Sequence, residues 1–338
     1  MGLEAHAIVK LASNENPLGP GPRALAAMQA ALPDIARYPD GNSFALKAAL
    51  SRHCGVSPEQ IVLGNGSNDV LELAARALLT PGTSAVYSQH AFAVYPLVVQ
   101  AMGAQGIEVP AKEFGNDADV LLKAIRTDTR IVFIANPNNP TGTLLPPEVL
   151  LKLIDRIPRQ VLVVLDEAYY EYLPPEQAPE SLSWLTRFPH LMITRTFSKA
   201  YALAGLRIGY ALMQAPLADI LNRVRQPFNV NSLAQAAAEA ALGDTPHLQK
   251  SVTLNSTGMR QIAAGLAQLK LSTIPSYGNF LSFRVDQAGV IYQRLLRRGV
   301  IVRPIANYGM PDYLRVSIGT ENENEIFLRA LAQALQEK

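Results

Sequence analysis

The stretch VLVVLDEAYY, residues 161–170, decides the fold of this chain. Residues 161–165 are apolar at every position, and Asp166 follows them directly. A half-buried strand would alternate apolar and polar residues, whereas a continuous apolar run is typical of a strand covered on both faces. Strands of this kind belong to parallel sheets with helices on either side, so the stretch predicts a central strand that ends in an acid.

Similar apolar runs recur along the chain, and most are followed by a helical pattern. IVLG at 61–64 precedes a helical segment that starts at Ser67, and the same order recurs after SAVYS at 84–88 and RIVFIA at 130–135. LMITRT at 191–196 is another such run. The alternation predicts right-handed βαβ units that build a mostly parallel sheet.

The pattern changes after about residue 244, where a long helical segment runs to about residue 269 and short strands follow. A last helix opens with Thr320 and Glu323, the spacing of a capping box. We therefore predict an α/β fold with a large domain, whose mostly parallel sheet is flanked by helices, and a smaller α+β C-terminal domain. The predicted boundaries are an N-terminal segment and loop at 1–30, the large domain at 31–243 and the small domain at 244–338.

Composition excludes several classes of function. The chain has 338 residues, with 30 basic and 28 acidic side chains and a net charge of +2, so no basic surface indicates a nucleic-acid partner. One cysteine, Cys54, rules out an internal disulfide and most cysteine-ligated metal sites, so no metal is expected. No apolar run is long enough to span a membrane, and a cytoplasmic location is predicted.

Polar residues follow four of the predicted strands, where ligands collect in sheets of this type. Each has a simpler structural explanation. An acid after a strand usually caps a turn, NPNNPTG at 136–142 is rich in turn formers, and a lysine in a polar turn is usually solvated. GNGSND at 64–69 lacks the third glycine of a dinucleotide fingerprint, but a turn that opens a helix can bind an anion. Only their joint occurrence at strand ends favours a functional site.

Pyridoxal 5′-phosphate explains this set of residues economically, because the cofactor needs a lysine amine, a carboxylate at its ring nitrogen and a phosphate site. Lys199 would form the Schiff base and later move the substrate proton, since desolvation lowers a lysine pKa from its usual value of about 10.4. Asp166 would hold the ring nitrogen protonated, while Asn139 and Tyr169 would donate to the phenolic oxygen. The predicted phosphate ligands are Ser67, Asn68, Thr196, Ser198 and Arg207.

In these motifs the sequence resembles the fold-type I, aspartate aminotransferase-like family of pyridoxal-phosphate enzymes, and within it the histidinol-phosphate aminotransferases. The ordered set carries the resemblance: KLASNENPLGP (10–20), RYPDG (37–41), LGNGSND (63–69), NPNNPTG (136–142), DEAYYEY (166–172), RTFSKAYALAGLRIGY (195–210) and LRVSIGT (314–320).

The resemblance implies a homodimer with shared active sites, in which Tyr38 reaches the cofactor phosphate of the partner subunit. It also implies that Phe92 covers the cofactor ring and that Arg315 pairs with a substrate carboxylate, a task suited to a guanidinium. Arg303 matches an arginine near the substrate phosphate, and Asn16 is expected near the substrate entrance. Family members usually carry a longer segment before KLASNENP, so contacts of an N-terminal arm stay open.

The predicted activity is transamination between L-histidinol phosphate and 2-oxoglutarate, a small-molecule amino donor and a 2-oxo acid. An aromatic amino-acid aminotransferase is the nearest alternative, since pocket shape rather than sequence pattern separates the two. Decarboxylation of an amino-acid phosphate is a second enzymatic alternative. A non-catalytic sensor module is a third, although the sequence shows no helix-turn-helix segment before the domain.

Overall fold

The computed structural model describes residues 8–337 of the chain. The strands within this range are β1 (Val9–Lys10), β2 (Ile61–Gly64), β3 (Ser84–Ser88), β4 (Gln105–Val109), β5 (Thr129–Ala135), β6 (Leu162–Asp166), β7 (Leu191–Thr196), β8 (Gly209–Leu212), β9 (Thr273–Ile274), β10 (Phe280–Arg284), β11 (Val300–Ile301), β12 (Arg303–Pro304) and β13 (Tyr313–Ser317).

Most helices in the first two thirds of the chain alternate with these strands, and the last three helices contribute to the core beside the second sheet. They are α1 (Pro22–Ala31), α2 (Phe44–Cys54), α3 (Ser67–Leu78), α4 (Val94–Ala101), α5 (Ala118–Lys123), α6 (Pro147–Arg156), α7 (Ser181–Trp184), α8 (Ala215–Val224), α9 (Ser232–Leu242), α10 (Thr245–Gln268), α11 (Ala288–Arg297) and α12 (Glu321–Gln336).

The central sheet has seven strands in the order β2-β8-β7-β6-β5-β3-β4. Strands β2, β3, β4, β5, β6 and β7 run in the same direction, and β8 runs antiparallel to both of its neighbours, β2 and β7. The predicted α/β fold with a mostly parallel sheet is therefore confirmed.

Strand β6 is apolar throughout because its two faces lie in two different cores. Val163 and Leu165 pack in one hydrophobic cluster, whereas Leu162 and Val164 pack in the other. Helices α2, α6 and α9 contribute to the first cluster, and α3, α4 and α8 to the second. Covering both faces leaves the strand ends as the places where polar groups of this sheet can reach a ligand.

A second, antiparallel sheet has the order β12-β13-β10-β9, and all of its residues come from the last quarter of the chain. Its core includes residues of α10, α11 and α12. Helix α12 begins with the predicted capping box, in which Thr320 Oγ1 accepts from the Glu323 amide and Glu323 Oε2 accepts from the Thr320 amide.

The N-terminal segment does more than lead into the first helix. Strand β1 pairs in parallel with β11, and Val9 and Leu11 join the core of the second sheet. Residues at the two ends of the sequence therefore pack together, while the boundary at 243/244 stays a prediction. No helix within residues 8–337 combines the length and apolar character that crossing a bilayer would require.

Candidate active site

A cavity of about 320 Å³ lies at the carboxyl ends of β5, β6 and β7, between the central sheet and the β12–β13 pair. The structure brings most of the predicted site residues onto its wall. Those lining it are Ser67, Asn68, Phe92, Asn139, Asp166, Tyr169, Thr196, Ser198, Lys199, Arg207, Arg303 and Arg315. Their roles stay predictions, whereas their convergence on one cavity is an observed property of the fold.

Asp166, the last residue of β6, is a buried carboxylate that is 5 % exposed. Tyr95 donates its hydroxyl to Oδ2 at 2.8 Å, and Thr194 donates to Oδ1 at 3.0 Å. Burial raises the pKa of Asp166, and these hydrogen bonds oppose the rise. Because no basic side chain of the described residues forms an ion pair with Asp166, its charge faces the cavity uncompensated.

Lys199 lines the same cavity and is a partly buried amine. Its Nζ donates to the backbone oxygens of Asn14 at 3.1 Å and Ser13 at 3.3 Å, and no acidic side chain pairs with it within residues 8–337. Burial lowers the pKa of Lys199 to about 7, assisted by the positive charges of Arg315 and Arg207. A large fraction of this amine is therefore unprotonated at neutral pH, as a nucleophile or general base requires.

Tyr169 and Asn139 present hydrogen-bond donors to the cavity. The Tyr169 hydroxyl accepts from Asn14 Nδ2 at 2.9 Å, and burial raises the pKa of Tyr169 to about 12, so the hydroxyl keeps a proton to donate. Arg315 donates to Asn139 Oδ1 at 2.6 Å. Since that bond occupies the amide oxygen, the amide NH₂ of Asn139 is the part of the side chain that can serve a ligand.

An anion-binding loop forms where β2 turns into α3. Gly66 has φ +88° at the start of the helix, and a Cβ at this position would lie 2.4 Å from Arg207 Nη2. A Cβ on Gly209 would likewise lie 2.4 Å from the Ser67 amide. Glycine at both positions thus lets the helix N-terminus and the Arg207 guanidinium approach each other, and together they favour an anion.

Two hydroxyls of the β7 end extend this anion site. Thr196 Oγ1 accepts from the Ser198 amide at 3.1 Å, and Ser198 Oγ accepts from Arg207 Nη1 at 3.5 Å. The turn after β7 therefore places the Ser198 hydroxyl beside the Arg207 guanidinium, and the Thr196 hydroxyl is bonded to the backbone of the same turn.

Two arginines face each other on the opposite wall. Arg303 of β12 and Arg315 of β13 are directly paired in the antiparallel register, and both line the cavity. Like charges placed opposite each other are unfavourable without an anion between or beside them. Arg315 is buried and its Nε has no hydrogen-bond partner among the described residues, whereas Arg303 is exposed at the rim. This wall is therefore suited to ligands with more than one anionic oxygen.

Two predicted residues do not lie in this cavity. Asn16 does not line it, and its Nδ2 donates to the Ala200 oxygen at 3.0 Å and to Ser251 Oγ at 2.8 Å, so its expected place near the substrate entrance stays a prediction. Tyr38 is 82 % exposed and stacks on Phe228 with ring centroids 4.8 Å apart. It is therefore not part of its own subunit's cavity, and its predicted role in a partner's site stays a prediction.

Sequence reasoning missed several residues of the site. Asn14 bonds Tyr169, and its φ of 54° is a backbone conformation that asparagine tolerates better than most residues, but the motif gave no reason to prefer it over Asn16. Thr194 could have been found, because strand alternation places it on the same face as Thr196. Tyr308 lines the cavity from a turn of the second sheet, where no local signal marks it.

Taken together, a lysine amine, a buried acid without a cation and an anion-binding helix end form the donor set that a phosphorylated aldehyde cofactor such as pyridoxal phosphate requires. No group of three or more His, Cys, Asp or Glu side chains within residues 8–337 is arranged to hold a metal ion. The geometry thus defines the class of a lysine-based pyridoxal-phosphate site.

Comparison with known proteins gives the family. The model of the aminotransferase class I and II family matches residues 6–331, and the chain belongs to this family. The sequence is 63 % identical over 336 residues to a histidinol-phosphate aminotransferase of Methylobacillus flagellatus, an alignment that covers 99 % of this chain and 91 % of that protein.

Solved structures confirm the fold. A histidinol-phosphate aminotransferase of Sinorhizobium meliloti in complex with pyridoxal 5′-phosphate superposes with a TM-score of 0.93 at 31 % identity, covering 97 % of this chain and 91 % of that one. A Thermus thermophilus aspartate aminotransferase mutant, at 24 % identity, has a TM-score of 0.85 and covers 98 % of this chain and 99 % of that chain. The predicted aspartate aminotransferase-like fold is therefore confirmed.

Proposed function

We propose that this chain is a pyridoxal-phosphate-dependent transaminase that exchanges an amino group between L-histidinol phosphate and 2-oxoglutarate. One observation carries the proposal: a single cavity holds the Lys199 amine, the uncompensated Asp166 carboxylate and the opposed pair Arg303 and Arg315. The first two groups serve the chemistry, and the arginine pair selects anionic substrates. The similarity to histidinol-phosphate aminotransferases supports the same substrate.

The described residues fit the cofactor. The negative charge of Asp166 needs a cation in the cavity, and a protonated ring nitrogen would supply one. Tyr169 and Asn139 hold donors for a phenolic oxygen, and Phe92 lines the wall where an aromatic could cover a ring. The phosphate would bind the first amides of α3 together with the Arg207 guanidinium and the hydroxyls beside it.

When bound, pyridoxal phosphate supplies an aldehyde that condenses with primary amines and a protonated ring that withdraws electrons from the substrate α-carbon. With the cofactor bound, Lys199 would provide the amine that holds it, and that amine would be free again once a substrate amine takes its place. The freed Nζ, with its pKa lowered to about 7, is suited to take a proton from the substrate and return it elsewhere. Asp166 would stabilise a positive charge on the ring, and Tyr169 would remain a hydrogen-bond donor because its pKa is raised to about 12.

The arginine pair explains how one pocket serves two different substrates. L-Histidinol phosphate carries a phosphate ester, whereas 2-oxoglutarate and glutamate carry two carboxylates. Arg315 is buried and fixed by bonds to Asn139 and to the Ala12 oxygen at 2.8 Å, so it suits the inner carboxylate. Arg303, exposed at the rim, suits the outer carboxylate or the phosphate, where a guanidinium binds two oxygens at once.

An absorbance titration of the loaded protein tests the reaction. We expect the absorbance band of the bound cofactor to shift when histidinol phosphate is added and to return when 2-oxoglutarate follows. Lys199→Ala should lose turnover by at least about 10⁴-fold, because the amine is both attachment point and base. A Lys199→Ala protein with full turnover would rule out this mechanism.

Arg303 distinguishes the proposed substrate from an aromatic amino acid, which has a single anionic group. In the donor half-reaction alone, Arg303→Gln should weaken the binding of histidinol phosphate about ten- to hundredfold, because a charged hydrogen-bonded pair is lost. Phenylalanine should be affected about twofold or less. If the parent enzyme uses phenylalanine or tyrosine well and histidinol phosphate poorly, it is an aromatic aminotransferase instead.

We also propose that the chain acts as a homodimer, in the cytoplasm. Exposed apolar side chains support the dimer: close to Tyr38 in sequence, Leu32 is 50 %, Ile35 64 % and Phe44 70 % exposed. An exposed apolar patch marks an interaction surface. Sedimentation should give twice the mass of the 338-residue chain, and Tyr38→Ala should weaken cofactor binding in a protein that stays dimeric. A fully active monomer would contradict the proposal.

A further inference from the structure

A buried ion pair lies behind the two strand ends that carry the site. Arg195 donates to Glu167 Oε2 through Nε at 3.0 Å and through Nη2 at 2.9 Å. Their side chains are 5 % and 0 % exposed. Neither residue lines the cavity, and the reaction described above does not use them.

The strand register ties this pair to the site. Asp166 pairs with Thr194 across β6 and β7, and the Glu167 amide donates to the Thr194 oxygen at 2.9 Å. Neighbouring side chains on a strand point to opposite faces. Asp166, which lines the cavity, and Thr194, which bonds it, therefore share one face of the sheet, while Glu167 and Arg195 lie on the other. The ion pair therefore links the same two strand ends from the other side of the sheet.

Arg195 also contacts the segment that carries Tyr169. Its guanidinium carbon lies 3.7 Å from the centre of the Tyr170 ring, a stacked cation–π arrangement. Tyr170 follows Tyr169 directly, so the turn after β6 is held by the same guanidinium that holds Glu167. Arg195 thus contacts the residue after Asp166 and the residue after Tyr169.

A second, partly buried acid, Glu171, lies near the ion pair, and Arg195 affects the ionisation of both acids. Glu171 lies nearby, its Oε2 is buried without a hydrogen-bond partner among the described residues, and burial raises the pKa of Glu171 to about 7. Arg195 opposes that rise and also favours the ionised form of Glu167. A charged Glu167 without Arg195 would be an unpaired carboxylate next to Asp166.

We propose that the Arg195–Glu167 pair is a positioning unit that fixes Asp166, Thr196 and Tyr169 relative to the cofactor. This inference rests on the proposed function. A purely structural role is the competing explanation, because well-packed apolar residues often replace a buried ion pair at no loss of stability. The geometry favours positioning, since both partners lie on the backbone segments whose next residues face the cavity.

Two variants and a matched control separate these explanations. Arg195→Lys keeps the charge but loses the planar guanidinium, and the double variant Glu167→Gln/Arg195→Met removes both charges. Glu171→Gln, which changes a neighbouring acid outside the pair, is the control. Thermal unfolding of the cofactor-free proteins first establishes which variants fold, and Arg195→Lys decides the question alone if the double variant does not.

We expect folded Arg195→Lys to lose about tenfold or more in kcat, with a change in KM of about twofold or less, because small displacements of reacting groups are costly. The nuclear magnetic resonance signal of an isotope-labelled ring nitrogen should also move towards its unprotonated position, reporting a weaker contact with Asp166. The double variant should behave likewise, and Glu171→Gln should match the parent in both measurements.

Parent values of kcat and of the ring-nitrogen signal in a folded Arg195→Lys protein would overturn the inference. Equal losses in the Glu171→Gln control would overturn it too, because they would show a general effect of altering this core. Cofactor titration of the parent protein is the separate check on the proposed function. If the parent does not bind pyridoxal phosphate, that proposal fails before any variant is compared.

Discussion

Two adjacent carboxylates at the end of β6 lie on opposite faces of the sheet: one faces the ligand cavity, and the other forms an ion pair within the protein. Asp166 faces the cavity and accepts hydrogen bonds from the neutral hydroxyls of Tyr95 and Thr194. Glu167 faces the opposite side of the sheet and receives two hydrogen bonds from Arg195. Both are buried, so each would be costly to ionise alone. The difference lies in where the compensating cation comes from.

On the face of the sheet that carries Glu167, here called the supporting side, the protein supplies the compensating cation as Arg195. On the cavity side, the cation that would compensate Asp166 has to come from a ligand. Burial raises the pKa of both carboxyls, but only for Glu167 does a guanidinium oppose the rise. An uncompensated buried acid indicates a binding site more reliably than its sequence motif does, because a structural acid is normally paired.

Of the changes that test this comparison, we expect the largest effect from removing the charge on the cavity side. Asp166→Asn keeps the shape but removes the charge that stabilises a protonated ring, so kcat should fall about 10²- to 10³-fold. Steady-state kinetics of the loaded enzyme measure this loss. Glu167→Gln should cost less than Asp166→Asn, and equal losses would contradict the separation of roles between the two faces.

The next effect concerns the Lys199 amine, which lines the same cavity as Asp166. With a pKa of about 7, the unprotonated fraction of Lys199 rises about thirtyfold from about pH 5.5 to pH 8, so its reaction with a small uncharged aldehyde should speed up by the same factor. Borohydride trapping of the cofactor-free protein, followed by mass spectrometry of the Lys199 peptide, measures this rate.

The control for the pH effect is Arg315→Gln, since Arg315 is the neighbouring charge that lowers the Lys199 pKa most. Its removal should move the midpoint of the rate profile to higher pH. A parent midpoint near that of an ordinary lysine would show that the cavity does not desolvate this amine.

We expect a smaller effect on cofactor affinity from changing one of two buried tyrosines that lie on opposite faces of the sheet. Tyr95→Phe removes one of the two hydroxyls bonded to Asp166 and should weaken cofactor binding about tenfold, the value of one hydrogen bond to a charged group. Tyr210→Phe, equally buried in the other core, should leave cofactor affinity unchanged. Spectroscopic titration gives the cofactor dissociation constant of each variant. An equal loss of affinity in Tyr210→Phe would show that the hydrogen bond to Asp166 is not what matters.

We expect the smallest effect from Glu171, a partly buried acid near the Arg195–Glu167 pair, and it concerns the pH dependence of stability. The folded-state pKa of Glu171, about 7, lies above its ordinary value of 4.5, so the parent should lose stability as pH rises through about 7. Glu171→Gln has no such ionisation. The melting temperature of the variant relative to the parent should therefore be higher at about pH 8 than at about pH 5.5, by about 2 °C or more. A constant difference would show that Glu171 ionises without cost.

Much of the fold could be predicted because β6 has a strong local signal. A run that is apolar at every position requires two covered faces, and the cores on either side of Val163 and Val164 meet that requirement. The pairing of β1 with β11 could not be predicted in this way. Two-residue strands have no periodicity, and the pair joins residues almost 300 positions apart.

The sequence by itself determined which residue types end each strand, and therefore that an amine, an acid and an anion-binding turn meet at one sheet edge. Only the tertiary structure decided that Asn14 rather than Asn16 bonds Tyr169, that Arg303 opposes Arg315, and that Arg195 pairs with Glu167 behind the site. Local patterns fix the direction of a side chain relative to its own strand. The partner that it meets depends on long-range packing, which no local pattern records.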